Sequence, residues 1–155
     1  IFKRVIDGFW SVVTTDVKAL AFRNKLDDIA SFAQSLAQRK GSAIFRPYHE
    51  HNPDGFFWWT LQNLNDDPVE AERLYRNIFH KTREYLESKG VQNLLYAYSP
   101  DIPYQKAFAD KAAFLEYYQR GLPDLDKIDV LGIDAYLWKQ TPCGGTRIIP
   151  DVMFT

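Results

Sequence analysis

The stretch Ser42-Ala43-Ile44-Phe45-Arg46-Pro47-Tyr48-His49-Glu50 decides how the rest of this chain is read. Its first half is a short apolar run of the kind that forms a buried strand, and its second half delivers an arginine, a histidine and a glutamate at the carboxyl end. Pro47 cannot donate to a sheet ladder, so the strand is expected to end near it. Upstream, Leu26, Ile29, Ala30, Ala33, Leu36 and Ala37 recur at helical spacing between Phe22 and Arg39, and Gly41 is placed to close that helix. Downstream, Asp67 caps a second helix, with Pro68 in its first turn and Glu70 three residues after the cap. Its apolar face is Ala71, Leu74, Tyr75, Ile78, Phe79, Tyr85 and Leu86, and Gly90 closes it. Asn93 to Tyr98 reads as the next strand, a helix follows around Lys106 to Arg120 before Gly121 and Pro123, and Ile128 to Tyr136 reads as a third strand.

Helix, strand, helix, strand, helix, strand implies an α/β fold with parallel strands joined by helical crossovers. Ligands gather at the carboxyl ends of such strands. Three polar and aromatic clusters fall there: His49-Glu50, Tyr98-Ser99-Pro100-Asp101 and Asp134-Ala135-Tyr136. The alternation does not by itself separate an open sheet from a barrel.

The 155 residues suit one domain, and a net charge of −1 with interspersed signs argues against a nucleic-acid or membrane-surface partner. No apolar run reaches membrane-spanning length, so no membrane insertion is expected, and no signal peptide is visible. Cys143 is the only cysteine, which rules out a disulfide within the chain without deciding the compartment. The chain opens at Ile1 rather than methionine, as a processed product or a piece of a longer polypeptide would.

Side chains alternate along a strand, so a regular strand puts Ile44, Arg46, Tyr48 and Glu50 on one face. Arg46 and Glu50 then reach the strand-end crevice together, where a permanently charged guanidinium can hold carboxylates in place. The same two residues read equally as a structural Arg–Glu pair. His49 and His51 on the other face raise the question of a metal, but a zinc site needs a third and usually a fourth ligand. His80, the remaining histidine, falls on the second helix near its exposed boundary, and no metal or organic cofactor is expected. After the turn signal Asn52-Pro53-Asp54-Gly55 comes Phe56-Phe57-Trp58-Trp59. Four consecutive rings cannot all face one way, so one or two are expected to line a cleft while the others pack beneath. Tyr136 and Trp138 carry the same two readings at the third strand end. A carboxyl group beside open aromatic rings suits polysaccharide cleavage: the acid moves protons at the glycosidic oxygen, and the rings pack against sugar C–H faces.

Arg46 to Glu50, Asn52 and the Phe-Phe-Trp-Trp run resemble the acid/base segment of glycoside hydrolase family 26, the β-mannanase family. Phe22 to Phe32 resembles the helix before that strand, Asn93 to Pro100 the next strand, and Ile128 to Tyr136 the one after, so the likeness runs from about Ala21 to Trp138. The resemblance implies a (β/α)8 TIM barrel and retaining cleavage of β-1,4-mannan or glucomannan. It makes Glu50 the general acid/base, His49 its partner and Tyr136 the tyrosine that hydrogen-bonds the nucleophile. Phe56, Trp58 and Trp59 fall in its sugar-stacking segment, and Arg46 and Asn52 complete the expected substrate-binding set. The chain departs from the family pattern in carrying Phe56 where tryptophan is common, and in a spacing from Glu50 to the tryptophan pair that is one residue long.

A complete barrel takes about 250 residues, so this chain is expected to cover a central part of a single catalytic domain, with the remainder of the barrel as its partner. The family's nucleophile is a second glutamate nearer the C-terminus. Nothing after Tyr136 matches it, Ile148 to Phe154 contains no glutamate, and the family gives Asp134 a structural part; the nucleophile is therefore expected outside this chain. Two alternatives stay open: a non-catalytic β-glycan-binding fragment, or a family 26 glucanase or xylanase. Because such polymers do not cross membranes intact, a secreted or cell-surface location is expected.

Overall fold

A computed structural model describes residues 15–52, 55–102 and 108–135. Helix α1 (Val17–Gln38) starts five residues before the apolar periodicity announces it, because Asp16 accepts the Lys18 and Ala19 amides at its N-terminus. Its buried residues are small or narrow (Ala19, Leu26, Ala30, Ala33), so the helix lies close against its neighbour. It ends in a Schellman turn: Lys40 N–H reaches the Ala37 carbonyl at 2.8 Å and Gly41 N–H the Leu36 carbonyl at 2.9 Å. Lys40, with φ of 59°, takes the left-handed position that Gly41 was expected to fill. Gly41 serves close approach instead, since a Cβ there would meet the Leu36 side chain at 2.6 Å.

Strand β1 (Ala43–Phe45) follows, then the short helix α2 (Leu61–Leu64), which buries both leucines and is too brief to show a period in sequence. Helix α3 (Pro68–Ser88) is capped by Asp67, whose side chain accepts the Val69 amide at 2.9 Å. Glu70 pairs with Arg73 rather than closing a capping box. Ala71, Leu74, Tyr75, Ile78, Phe79, Thr82 and Leu86 form its buried stripe. Gly90, at φ of 79°, ends it as expected. Asp27 of α1 accepts from Tyr85 of α3 and pairs with Lys89 just beyond it, joining the two long helices at their edge.

Strand β2 (Leu94–Tyr98) pairs in parallel with β1, Ile44 opposite Leu95 and Phe45 opposite Tyr96. Helix α4 (Lys111–Tyr118), the 3-10 turn Leu125–Lys127 and strand β3 (Val130–Leu131) follow, with Ala97 opposite Val130. The sheet order is β1-β2-β3, all parallel, as the alternation of elements requires. β3 is shorter than the apolar run because its partner strand reaches Pro100, which has no N–H to give; pairing resumes only at the Asp101–Asp134 bridge. One face of the sheet packs Phe45, Leu94, Tyr96 and Tyr98 on the helices, and the other leaves Ile44 and Leu95 open. No helix among the described residues is long and apolar enough to cross a membrane.

Asn93 fastens the end of α1 to the start of β2, its amide nitrogen donating to the Ala33 and Gly41 carbonyls at 2.9 Å each. Replacing Asn93 with alanine leaves both carbonyls short of a donor, and urea unfolding is expected to show a loss of about 1–3 kcal/mol.

Candidate functional site at the carboxyl ends of the strands

The segment after β1 abandons strand geometry at once. Pro47 is buried, Tyr48 and Glu50 have φ of 53° and 51°, and the alternation expected of Ile44, Arg46, Tyr48 and Glu50 therefore fails. Tyr48 turns inward, its hydroxyl 2.6 Å from that of Thr82 on α3, while Tyr75 donates to the Tyr48 carbonyl at 3.0 Å. Burial pushes the Tyr48 and Tyr75 phenols well up, so both stay neutral hydrogen-bonding groups. Two non-glycine residues in the left-handed region cost about 1–2 kcal/mol each. The anchored Tyr48 and the contacts of the following residues hold them there, and the loop sets Glu50, half-buried, at the strand ends.

That loop is laced to the extension of β2. Glu50 N–H donates to the Ser99 carbonyl at 2.9 Å. Two residues on, the Asn52 side chain imitates a strand: its nitrogen donates to the Asp101 carbonyl at 2.9 Å and its oxygen accepts the Asp101 amide at 2.8 Å. Both ends of the amide are thus engaged with backbone. The carboxylate that Arg46 holds is Asp134, not Glu50: Nη1 donates to its two oxygens at 2.7 and 2.6 Å, and the Ser99 hydroxyl donates to Oδ2 at 2.7 Å. Arg46, Asn52, Ser99 and Asp134 form the frame around Glu50. The sequence places Ser99 in the cluster at the second strand's end without giving it a part, since its one signal is a small hydroxyl at a strand exit.

The four rings divide their work. Trp59 donates its indole N–H to the His49 carbonyl at 2.8 Å and stacks on Phe57 with centroids 4.4 Å apart and planes at 7°. The His49 ring tilts against both, at 5.2 Å from Phe57 and 5.9 Å from Trp59. Trp58 leans edge-on against Phe22 of α1 and Tyr48. Phe56 is the most open of the four at 81% exposed, and Trp58 follows at 42%. Tyr136 lies outside the described residues, as do Trp138, Cys143 and Ile148 to Phe154.

The two neighbouring histidines go to different places. His51 is fully buried, stacked on Tyr75 at 4.0 Å, and its Nε2–H donates to the Arg120 carbonyl at 2.7 Å. A carbonyl only accepts, so the proton sits on Nε2 and Nδ1 is left as a bare lone pair in the interior. His80 is tied to Asp124, accepting its N–H at 3.1 Å. Among the described residues no three His, Cys, Asp or Glu side chains gather as metal ligands would.

Residues 3–149 match glycosyl hydrolase family 26. The chain belongs to this family. A mannan endo-1,4-beta-mannosidase of Bacillus subtilis is 28% identical over 136 residues, covering 87% of this chain and 33% of the relative. One from Bifidobacterium adolescentis is 37% identical over 118 residues, covering 74% of this chain and 10% of that protein. Among solved structures, a mannanase of Bacillus subtilis superposes with a TM-score of 0.63 at 28% identity, over 84% of this chain and 36% of that one. A β-mannanase from Bacteroides ovatus gives 0.54 at 33% identity, over 74% and 30%. This family 26 chain thus spans about a third of the length of the Bacillus relative. Its parallel strands and crossover helices are consecutive units of the family's (β/α)8 barrel.

His51 also sets an acid limit on the fold. Burial lowers its folded pKa to about 4, against an ordinary value of 6.5. As pH falls through this window the unfolded chain takes the proton first, so the stabilisation is complete above pH ~6.5 and drains away towards pH ~4, by up to about 3 kcal/mol. Unfolding free energy measured against pH is expected to show that slope, and His51→Phe, which keeps a ring against Tyr75, is expected to flatten it.

Proposed function

We propose that this chain carries the acid/base side of a retaining endo-β-1,4-mannanase acting on mannan or glucomannan. The observation that carries the reading is Glu50: a half-buried carboxyl in a strained, laced loop at the strand ends of a family 26 barrel, next to open aromatic rings. In this reading Glu50 gives its proton to the leaving glycosidic oxygen and then takes one from the attacking water. His49, wedged against Phe57 and Trp59, fixes the shape of the crevice beside it. Phe56 and Trp58 offer ring faces to the sugar, and Trp59 holds the loop through the His49 carbonyl as well as lining the segment. Arg46 and Asn52 contribute by holding the strand ends around the substrate. Tyr136 is assigned the hydrogen bond to the nucleophile by family resemblance alone.

Retaining hydrolysis needs a second carboxyl about 5–5.5 Å from the first. Asp134 is a poor source, because Arg46 and Ser99 occupy its oxygens. The reading therefore takes the nucleophile to be a glutamate elsewhere in the polypeptide, contributed with the rest of the barrel. It also implies action outside the cell or at its surface, where the polymer is found.

Glu50→Gln in the complete open reading frame is expected to lower reducing-end release from mannan about 10²–10⁴-fold while leaving mannooligosaccharide binding near its original strength. Undiminished hydrolysis would sink the assignment. Equal or faster wild-type turnover of β-1,4-glucan or xylan would move the substrate to those polymers.

A further inference from the structure

Ser99 is 3% exposed and makes two bonds that bear on Glu50. Its carbonyl takes the Glu50 N–H at 2.9 Å, and its hydroxyl donates to Asp134 Oδ2 at 2.7 Å. Asp134 is itself pinned from every side: Arg46 holds its carboxylate, its N–H reaches the Pro100 carbonyl at 2.8 Å, and its carbonyl takes the Ile102 N–H at 2.9 Å. The hydroxyl therefore ties the Ser99 peptide to a fixed point, and the Ser99 carbonyl passes that fix to the peptide before Glu50. Because Glu50 sits at φ of 51°, the tilt of that peptide decides where its carboxyl projects. Gly132 completes the arrangement, since a Cβ there would lie 3.3 Å from Ser99 Oγ and 3.5 Å from Ser99 Cβ. Gly132 has no positive φ that would otherwise require glycine. Space for the serine hydroxyl accounts for its smallness.

We propose that Ser99 is a positioning residue for Glu50, setting the reach of the acid/base carboxyl through its paired bonds to the Glu50 amide and to Asp134. The inference rests on Glu50 being the acid/base. A displaced acid harms the departure of a sugar alkoxide, which must be protonated as the glycosidic C–O bond breaks. It scarcely affects a dinitrophenolate, which leaves without a proton.

The test compares kcat/KM on a mannooligosaccharide with kcat/KM on a dinitrophenyl β-mannobioside, for Ser99→Ala, Gly132→Ala and Glu50→Gln in the complete open reading frame. This ratio reports glycosylation alone, so base-assisted turnover of the intermediate does not enter. Ser99→Ala removes the bond to Asp134, and Gly132→Ala keeps the serine but crowds its hydroxyl. Both are expected to lose about 10-fold on the oligosaccharide and to stay within about 2-fold of wild type on the activated glycoside. Glu50→Gln is expected to show the same pattern more strongly. Equal losses on the two substrates, or none on either, would overturn the role of Ser99 while Glu50→Gln keeps its leaving-group dependence. If Glu50→Gln itself treats the two substrates alike, the acid/base assignment falls and takes this inference with it.

Discussion

The site depends on one backbone hydrogen bond, from Glu50 N–H to the Ser99 carbonyl. Strand β1 has stopped five residues earlier, and without a partner the chain beyond it would be an ordinary surface loop. The bond, repeated in form two residues later by the Asn52 amide on Asp101, makes the loop behave as a continuation of the parallel sheet although its dihedrals are not those of a strand. A glutamate side chain is long and has many rotamers, so a catalytic use of it needs a backbone that does not move. Here the backbone is fixed by the sheet on one side and by a buried polar layer beneath.

That layer joins the loop to α3. Tyr48 meets Thr82, Tyr75 reaches back to the Tyr48 carbonyl, and His51 stacks on Tyr75 while donating to Arg120. Tyr98, at the end of β2, donates to the Tyr118 carbonyl and so draws the end of α4 onto the same layer. Hydrogen bonds of this kind contribute about 1 kcal/mol net when made, and more is lost when one partner is removed and the other stays buried. Buried polar groups also specify geometry: an apolar layer could slide, whereas these donors must keep their acceptors in reach, as the Tyr98 hydroxyl does with the Tyr118 and Arg120 carbonyls at 2.6 and 3.1 Å. Two left-handed residues within three positions are tolerated because the layer leaves the loop no relaxed alternative.

Much of this was legible in the sequence wherever the cause is local. Asp67, Pro68 and Gly90 mark the ends of α3 by their own backbone chemistry, and the 3.6-residue stripe between them is buried except at Tyr85, which stays partly exposed while Thr82 takes the buried place in that turn. Glu50 could be placed at a strand end because the apolar run and Pro47 sit next to it. The features that could not be read were non-local or without a residue-type signature. Arg46 finds its partner 88 positions away, so the pair with Asp134 follows from sheet order and not from neighbourhood. No glycine or asparagine at positions 48 and 50 announces the left-handed turn, and Lys40 does the same at the end of α1. The start of α1 was missed because between Val17 and Ala21 only Ala19 is buried, which leaves no period to see.

The aromatic run shows how four similar residues come to do different things. Trp59 has a polar handle, and the loop uses it: the indole N–H satisfies the His49 carbonyl, which the irregular backbone would otherwise leave without a strand partner. Once Trp59 is fixed, the parallel stack with Phe57 fixes a second ring, and the His49 imidazole lies against both. Phe57 serves as a supporting wall, because one face lies on Trp59 and the His49 ring tilts against it. Trp58, one residue along, meets Phe22 of α1 edge-on and keeps part of its surface exposed. Phe56 is left with its face open, touching Phe57 only edge-on. A phenyl ring offers a sugar a smaller stacking surface than an indole and no N–H to orient it. On the proposed function, phenylalanine in place of tryptophan at this position gives a weaker grip on one sugar ring, while the Trp59–His49 bond that supports the Glu50 loop does not involve it.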